Sequence, residues 1–349
     1  MKKRLLAMVL TAVMLTGMTA CGSRQAETVQ PEEGSDTQVS GAEPEESKDV
    51  TDIDWPTKNI NIIVPYSAGG DTDFNARAIA QYLSEELGVN VVVTNVTGSG
   101  GSVASNQVRD SAADGYTILC NHTSLNMNTA TGIIDWDYSD LEMGCIFALG
   151  LGEAVIVRGD APWDTIEDLI KDSQENPGVY NCAASTGATT QWPAIAMNNA
   201  GAKLNVVDAG SASDRVTALL GGHVDIICNS LSSVKDYLAT GDFKCLGTCT
   251  PERSTEYPDI PTLTESNVAC SYNMAYTFLF PGGTDPQIAE KLAAVCRNIV
   301  ENNEEYAKSI YETYQQQPVC YTKVESEDYY ADELTRLMEI SDILQGTAN

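Results

Sequence analysis

The residues best suited to chemistry in this chain lie in four loops of small side chains. The first is Pro65-Tyr66-Ser67-Ala68-Gly69-Gly70-Asp71-Thr72-Asp73, which follows an apolar, β-branched run. Two glycines between a strand and a helix let backbone N–H groups approach a ligand, and the helix N-terminus behind them carries about half a positive charge. Tyr66, Ser67, Ala68, Gly69 and Gly70 are therefore candidates for holding an anion. Asp73 is either a first-turn residue favouring the helix or a ligand contact; Arg77, four residues on, either pairs with it or binds a carboxylate. The second loop, Thr97 to Ser102, repeats the design and adds Ser99 and Gly100. The third, Ala183 to Thr190, brings the hydroxyls of Ser185, Thr186 and Thr189 around Gly187, and the fourth, Asp208 to Ser213, brings Gly210 and Ser211. Hydroxyls donate readily to a carboxylate or hold bridging water. The shared chemistry is the grip of a small anion, with no cationic side chain in the loops themselves.

Other chemistries fit poorly. Val103 stands where a dinucleotide fingerprint needs glycine, and no Walker lysine follows. A hydrolase needs a nucleophile and a base, yet there is no G-x-S-x-G elbow and the histidines number two, His122 and His223. An enzyme is not expected, nor a cofactor. Cys245 and Cys249 lie in a strand-like run where residues four apart stand about 13 Å from each other, too far to share a zinc. Tyr329 and Tyr330, adjacent on a helix, diverge by about 100° and do not form a ferric site. No metal site is expected.

The elements that must position these loops alternate. Asn59 to Pro65 reads as a strand, Asp71 to Leu87 as a helix, Val89 to Val96 as a strand, Gly101 to Ala113 as a helix and Tyr116 to Asn121 as a third strand. A second series of strands and helices runs from Ala154 to Cys249. Tyr272 to Phe280 then leads into terminal helices near Pro286–Asn302 and Glu325–Leu344. This is an α/β protein with mainly parallel sheets, in which ligands bind beyond the carboxyl ends of the strands. Two lobes with a cleft between them are expected: residues 55–153 plus 272–349, and residues 154–271.

The N-terminus has its own logic. Lys2-Lys3-Arg4, an apolar run and Met18-Thr19-Ala20-Cys21 describe a secretory signal over residues 1–20, with Cys21 placed as in the lipobox of bacterial lipoproteins. Residues 22–54 carry ten acidic and two basic side chains and almost no apolar content, so residues 21–54 read as a lipidated cysteine and an extended acidic tether. The formal charge is −29; loss of the three leader cations makes it −32, and the tether holds eight of those charges, leaving −24 on the body. Such a surface repels nucleic acid. Nine cysteines remain after Cys21, at 120, 145, 182, 228, 245, 249, 270, 296 and 320, so at least one stays unpaired, and burial as small hydrophobes suits most of them.

Taken together, Pro65-Tyr66-x-x-Gly69-Gly70-x-x-Asp73-x-x-Ala76-Arg77, Gly98-Ser99-Gly100-Gly101, Asp114-Gly115-Tyr116-Thr117, Leu220-Gly221-Gly222-His223-Val224-Asp225 and Tyr257-Pro258-Asp259-Ile260-Pro261-Thr262 resemble the Bug proteins, the extracytoplasmic receptors of tripartite tricarboxylate transporters. The resemblance runs from about Trp55 to Leu344. It implies a type II periplasmic-binding-protein fold that closes on a small carboxylate held by loop amides and water. It also adds Asn121, His122, Thr123 and Asn229 to the lining by position. As a receptor of this kind, the protein is expected to be a monomeric lipoprotein serving membrane permease subunits, the alternatives being a sensor for a signalling partner or an exported hydrolase. One departure stands out. Where the family commonly carries Tyr with Lys or Arg and Gly, this chain has Asp208-Ala209-Gly210-Ser211, which removes a cation and admits a ligand with an amino or aromatic group.

Overall fold

The computed structural model describes residues 53–345; the leader, Cys21 and nearly all of the acidic tether lie outside the described residues. The chain begins with β1 (Ile60–Val64), α1 (Asp71–Leu87), β2 (Val91–Asn95), α2 (Ser102–Arg109), β3 (Thr117–Asn121), α3 (Ser124–Ala130) and β4 (Leu141–Gly150). Two residues later it enters a second sheet with β5 (Glu153–Arg158). There follow α4 (Ile166–Glu175), β6 (Asn181–Ala184), α5 (Gln191–Asn199), β7 (Asn205–Asp208), α6 (Ala212–Leu220), β8 (Ile226–Ser230), α7 (Lys235–Thr240) and β9 (Phe243–Thr248). It returns through β10 (Met274–Pro281), α8 (Pro286–Asn302), α9 (Glu304–Tyr314), β11 (Gln317–Pro318), α10 (Lys323–Met338) and α11 (Ser341–Leu344).

The first sheet has the order β11-β4-β10-β3-β1-β2 and the second β7-β6-β8-β5-β9. Both are mixed, which corrects the expectation of mainly parallel sheets. β1 pairs in parallel with β2 and β3, and β6 with β7 and β8, while β10 runs antiparallel to β3 and β4, and β5 antiparallel to β8 and β9. The cause is connectivity. β4 feeds β5 directly and β10 carries the chain back, so these strands reach across without the helical crossover that makes neighbours parallel.

Each sheet is buried on both faces. Along β1 the pleat sends Ile62 toward the core with Phe147, Phe278 and the α1 and α8 side chains, and Ile63 to the opposite core with Leu119, Leu125 and Tyr330. In the second sheet Val155 and Cys182 face the α4 and α5 side, while Ile156 and Ala183 face α6 and α7. All nine described cysteines are free thiols and seven are buried; the Cys182 and Cys228 sulfurs lie 3.7 Å apart and those of Cys249 and Cys270 lie 3.3 Å apart. Among the described residues no helix is long and apolar enough to cross a membrane, and no cluster of three or more acidic, His or Cys side chains is placed to hold a metal.

Candidate functional site

A cavity of about 1,040 Å³ lies between the two sheets, lined by the loops that follow β1, β2, β3, β6, β7 and β8, by Glu153 at the start of β5 and by the end of α9. Of the residues singled out in the sequence, Tyr66, Ser67, Gly69, Ser99, Gly100, Ser185, Thr186, Thr189, Gly210 and Ser211 form part of its wall, as does His122. Ala68, Gly70, Asp73, Asn121, Thr123, Gly187 and Asn229 do not belong to the lining, and several of them support it.

The supporting roles are specific. Asp73 accepts from Gly69 N–H (2.9 Å), Arg77 Nε (2.9 Å) and Asn95 Nδ2 (2.9 Å), so it clamps the first loop to α1 and β2. Burial alone raises its carboxyl, but the bonds from Arg77, Gly69 and Asn95 outweigh that and hold it below the usual carboxylate range. Arg77 is thereby a structural partner of Asp73 and Asn95. Asn121 accepts from His122 N–H and from Ser124 Oγ, fixing the turn after β3. Thr123 is buried in that turn, and Ala68 sits exposed at the tip of the first loop.

The hydrogen bonds also change the picture of an anion seat made from loop amides. Gly69 N–H goes to Asp73, Gly187 N–H to Gln191 Oε1 (2.6 Å), Ser185 N–H to Thr190 Oγ1 (2.9 Å), and Thr186 and Gly210 N–H to the two oxygens of Asp208 (3.0 and 3.1 Å). Those donors are spent inside the protein. Asp208, which the sequence placed beside the cleft, is the staple joining the third and fourth loops. Burial raises its carboxyl, but Thr186 and Gly210 lower it by more.

What takes their place is a cation that the sequence reading passed over. Arg215, on the first turns of α6, is only 5% exposed and lines the cavity. Its Nε donates to Asn229 Oδ1 (2.6 Å), and its Nη1 donates to Ser185 Oγ (2.6 Å) and the Gly210 carbonyl (2.7 Å). Nη2 has no hydrogen-bond partner among the described residues. Asn229 is thus the arm that aims the guanidinium. Just before Arg215, Ser211 caps α6 through its hydroxyl, and the N–H groups of Ala212 and Ser213 belong to the first turn, where a helix leaves them without internal partners. A guanidinium edge and a helix N-terminus on one wall suit a carboxylate. The missing cation inferred from the fourth loop is supplied one turn later. A signal existed: an arginine in the first turn of a helix opposes the helix dipole and needs another reason to be there.

The remaining walls are acidic and aromatic. Glu153 is 4% exposed, accepts from Thr189 Oγ1 (2.9 Å) on one oxygen and has no partner on the other. Burial, helped by the field of Asp71 and opposed by Arg215 and Thr189, pushes its carboxyl up to about 7. Asp71 accepts from Tyr276 Oη (2.8 Å) and from Thr72 N–H (2.7 Å). Tyr66 bonds Ser124 and stacks on His122, whose ring burial brings down to about 4, so the imidazole is neutral.

The lobes are held together around this cavity. Asn128 Nδ2 donates to both Gly100 O (3.1 Å) and Gly187 O (2.6 Å), one on each side. Gly100, at φ 62°, packs so closely that a Cβ would stand 2.9 Å from the Gly187 carbonyl carbon. Opposite, Lys235 Nζ donates to Glu312 O (2.8 Å) and Thr313 O (3.0 Å) at the end of α9.

Two α/β lobes facing one another across a cavity of mixed polar and apolar lining define a periplasmic solute-binding protein. A family model described as "Tripartite tricarboxylate transporter family receptor" matches residues 75–344, and the chain belongs to that family. It is similar to the "UPF0065 protein in gbd 5'region" of Cupriavidus necator, 30% identical over 242 residues that cover 68% of this chain and 73% of that one. Among solved structures it resembles a TctC solute binding protein from Polaromonas, at 27% identity and a TM-score of 0.65, covering 84% of this chain and 99% of that one. It also shares its fold with MatC of Rhodopseudomonas palustris, solved with bound malate, at 19% identity and a TM-score of 0.74, covering 82% of this chain and all of that one (100%).

Proposed function

We propose that this protein is an extracytoplasmic lipoprotein, anchored through Cys21 after removal of residues 1–20, that captures a small carboxylate between its lobes and delivers it to the permease of a tripartite tricarboxylate-type transporter. Residues 55–153 plus 272–349 act as one lobe and 154–271 as the other, with the tether giving the body reach above the membrane. The observation that carries the reading is Arg215, a buried guanidinium presenting a free edge to the cavity beside the α6 N-terminus. The malate held by MatC, a protein of the same fold, is in keeping with such a ligand. Ser67, Ser99, Ser185, Thr186, Thr189 and Ser211 then bind the rest of the ligand directly or through water.

Each charge-assisted hydrogen bond contributes about 1.5–3 kcal/mol, so a few of them with water excluded reach about −8 kcal/mol, a micromolar Kd. Titration calorimetry of the full chain against mono-, di- and tricarboxylates and against amines of equal size tests this. Micromolar binding by an acid is expected; binding confined to the amines contradicts it.

A further inference from the structure

Seven of the nine described cysteines lie against another cysteine, and one of these pairs is placed to bond. Cys145 neighbours both Cys296 and Cys320, so two thiols compete for one partner. Cys182 and Cys228, with sulfurs 3.7 Å apart, sit on the neighbouring parallel strands β6 and β8, where Cys182 stands opposite Ile226. Two residues of rise across adjacent strands separate their Cα atoms by about 8 Å, beyond the roughly 7 Å that a disulfide bridges. Cys249 and Cys270 differ. Their sulfurs lie 3.3 Å apart, both side chains are buried, and Cys270 stands in an irregular segment outside any ladder. Its backbone is free to make the short shift that a bond of about 2.05 Å requires. Cys245, in the same strand run as Cys249, packs against the core on the other face of the sheet.

We propose that Cys249 and Cys270 form a disulfide when the chain folds in an oxidising compartment, closing residues 250–269 at their base. The position gives the bond a consequence. Cys249 N–H donates to Glu153 O (2.7 Å) and its carbonyl accepts from Tyr272 N–H (2.6 Å), so the pair sits where the entry to β5 and the return toward β10 meet. The closed loop carries Glu256, which accepts from Tyr311 Oη on α9. The bond ties the loop that reaches α9 to the place where the chain crosses between the sheets. The oxidant is a disulfide, with oxidised glutathione as the probe. One cysteine thiolate attacks it, giving a mixed disulfide and releasing one thiol. The second thiolate attacks the mixed disulfide, forming the Cys249–Cys270 bond and releasing the other thiol. The two cysteines lose two electrons and two protons, and the oxidant takes up both. Exchange precedes the closing of the core. Both thiols are buried in the finished fold, and burial first, then the Cys270 contact, push the Cys249 thiol well above its usual range, which silences it as a nucleophile.

For the test, the full chain is unfolded in urea with dithiothreitol, refolded in a buffer of reduced and oxidised glutathione, then denatured, alkylated and digested with trypsin. The expected product joins peptide 245–253 to peptide 254–291, with fragmentation placing the bond on Cys249 and not on Cys245, and it vanishes on reduction. Reduction should also lower the Tm of the refolded chain by about 5 °C while leaving that of a Cys270→Ser variant unchanged. A refolded chain in which Cys249 and Cys270 both alkylate overturns the inference, as does a bond joining either of them to another cysteine. A bond whose reduction leaves the Tm unmoved overturns its part in tying the loop. The wild-type peptide map decides by itself should Cys270→Ser fail to fold. None of these outcomes depends on a ligand, so the receptor reading stands or falls apart from them.

Discussion

Replacing Glu153 by glutamine in the unliganded protein should stabilise it above neutral pH and leave it unchanged in acid. The carboxyl is moved from 4.5 to about 7, first by burial and then by Asp71, against the opposing pull of Arg215 and Thr189. Below about pH 4.5 the group is protonated in both folded and unfolded chains. Between 4.5 and 7 the unfolded chain ionises first, so the folded state loses stability as pH rises, and above 7 the loss is complete. A displacement of this size corresponds to about 3 kcal/mol. Of the other neutral groups that feel this carboxylate, Tyr66, Tyr272, Tyr276 and Cys249 are raised by burial first and Cys228 by its contact with Cys182 and then by burial, so none titrates in the window. Glutamine keeps the acceptor for Thr189 and removes the titration. Urea unfolding followed by tryptophan fluorescence at pH 4.5 and pH 8 should show a gain for Glu153→Gln of up to about 3 kcal/mol at pH 8 and almost none at pH 4.5. A loss at pH 8, or the same change at both values, would refute the argument that burial raises this carboxyl at the expense of stability.

Three further perturbations follow from the geometry. Arg215→Gln removes the unmatched Nη2 edge and should weaken acid binding at least thirtyfold, about 2 kcal/mol, by calorimetry; a change under threefold would deny the guanidinium its role. Gly100→Ala sets a Cβ against the Gly187 carbonyl group and the Thr186 carbonyl oxygen at a φ of 62°, so the lobes should stand apart, with a larger radius of gyration in solution scattering and affinity down about tenfold; an unchanged scattering profile would show that the contact does not govern closure. Glu333, buried on α10 against α3, has its carboxyl pushed well up, by burial first and against the bond from Asn126 Nδ2. Glu333→Gln should therefore raise the unfolding midpoint at pH 8 and not at pH 4, while leaving ligand affinity alone, and a midpoint that falls at pH 8 would contradict it.

Much of the framework was legible in the chain because hydrophobic periodicity marks helices packed on buried strands. The helix over 71–87 carries its own stops: Asp71 and Asp73 sit in the first turn, and Gly88 takes the left-handed cap at φ 68°. β4 was not legible, since Leu141–Gly150 contains Gly144 and Gly150 and lacks the alternation of a half-buried strand; eight of its ten residues are buried, so no polar face shows in the sequence. α3 is short and polar in composition, yet it is buried, with Asn126 and Asn128 bonded to distant partners that local pattern does not encode. α9 went unassigned because its tyrosines and acids suggest a solvated loop; packing of Tyr306 and Ile310 defines it. At the site, glycine and hydroxyl spacing located the right loops but not the fate of their amides. Whether Gly187 N–H is free depends on Gln191, and whether the fourth loop lacks a cation depends on Arg215 reaching back from α6. Glu153, a lone acid opening an apolar strand, is visible in the sequence, but the burial that leaves one of its oxygens without a donor depends on the fold.

The account stands on Arg215 as the seat of a ligand carboxylate. A crystal structure of the full chain with whichever acid binds most tightly in the calorimetric panel examines that directly. A carboxylate oxygen within about 3.2 Å of Arg215 Nη2, close to the first-turn amides of α6, is the predicted result. A ligand whose carboxylate lies elsewhere in the cavity, with Arg215 still facing solvent, would contradict it.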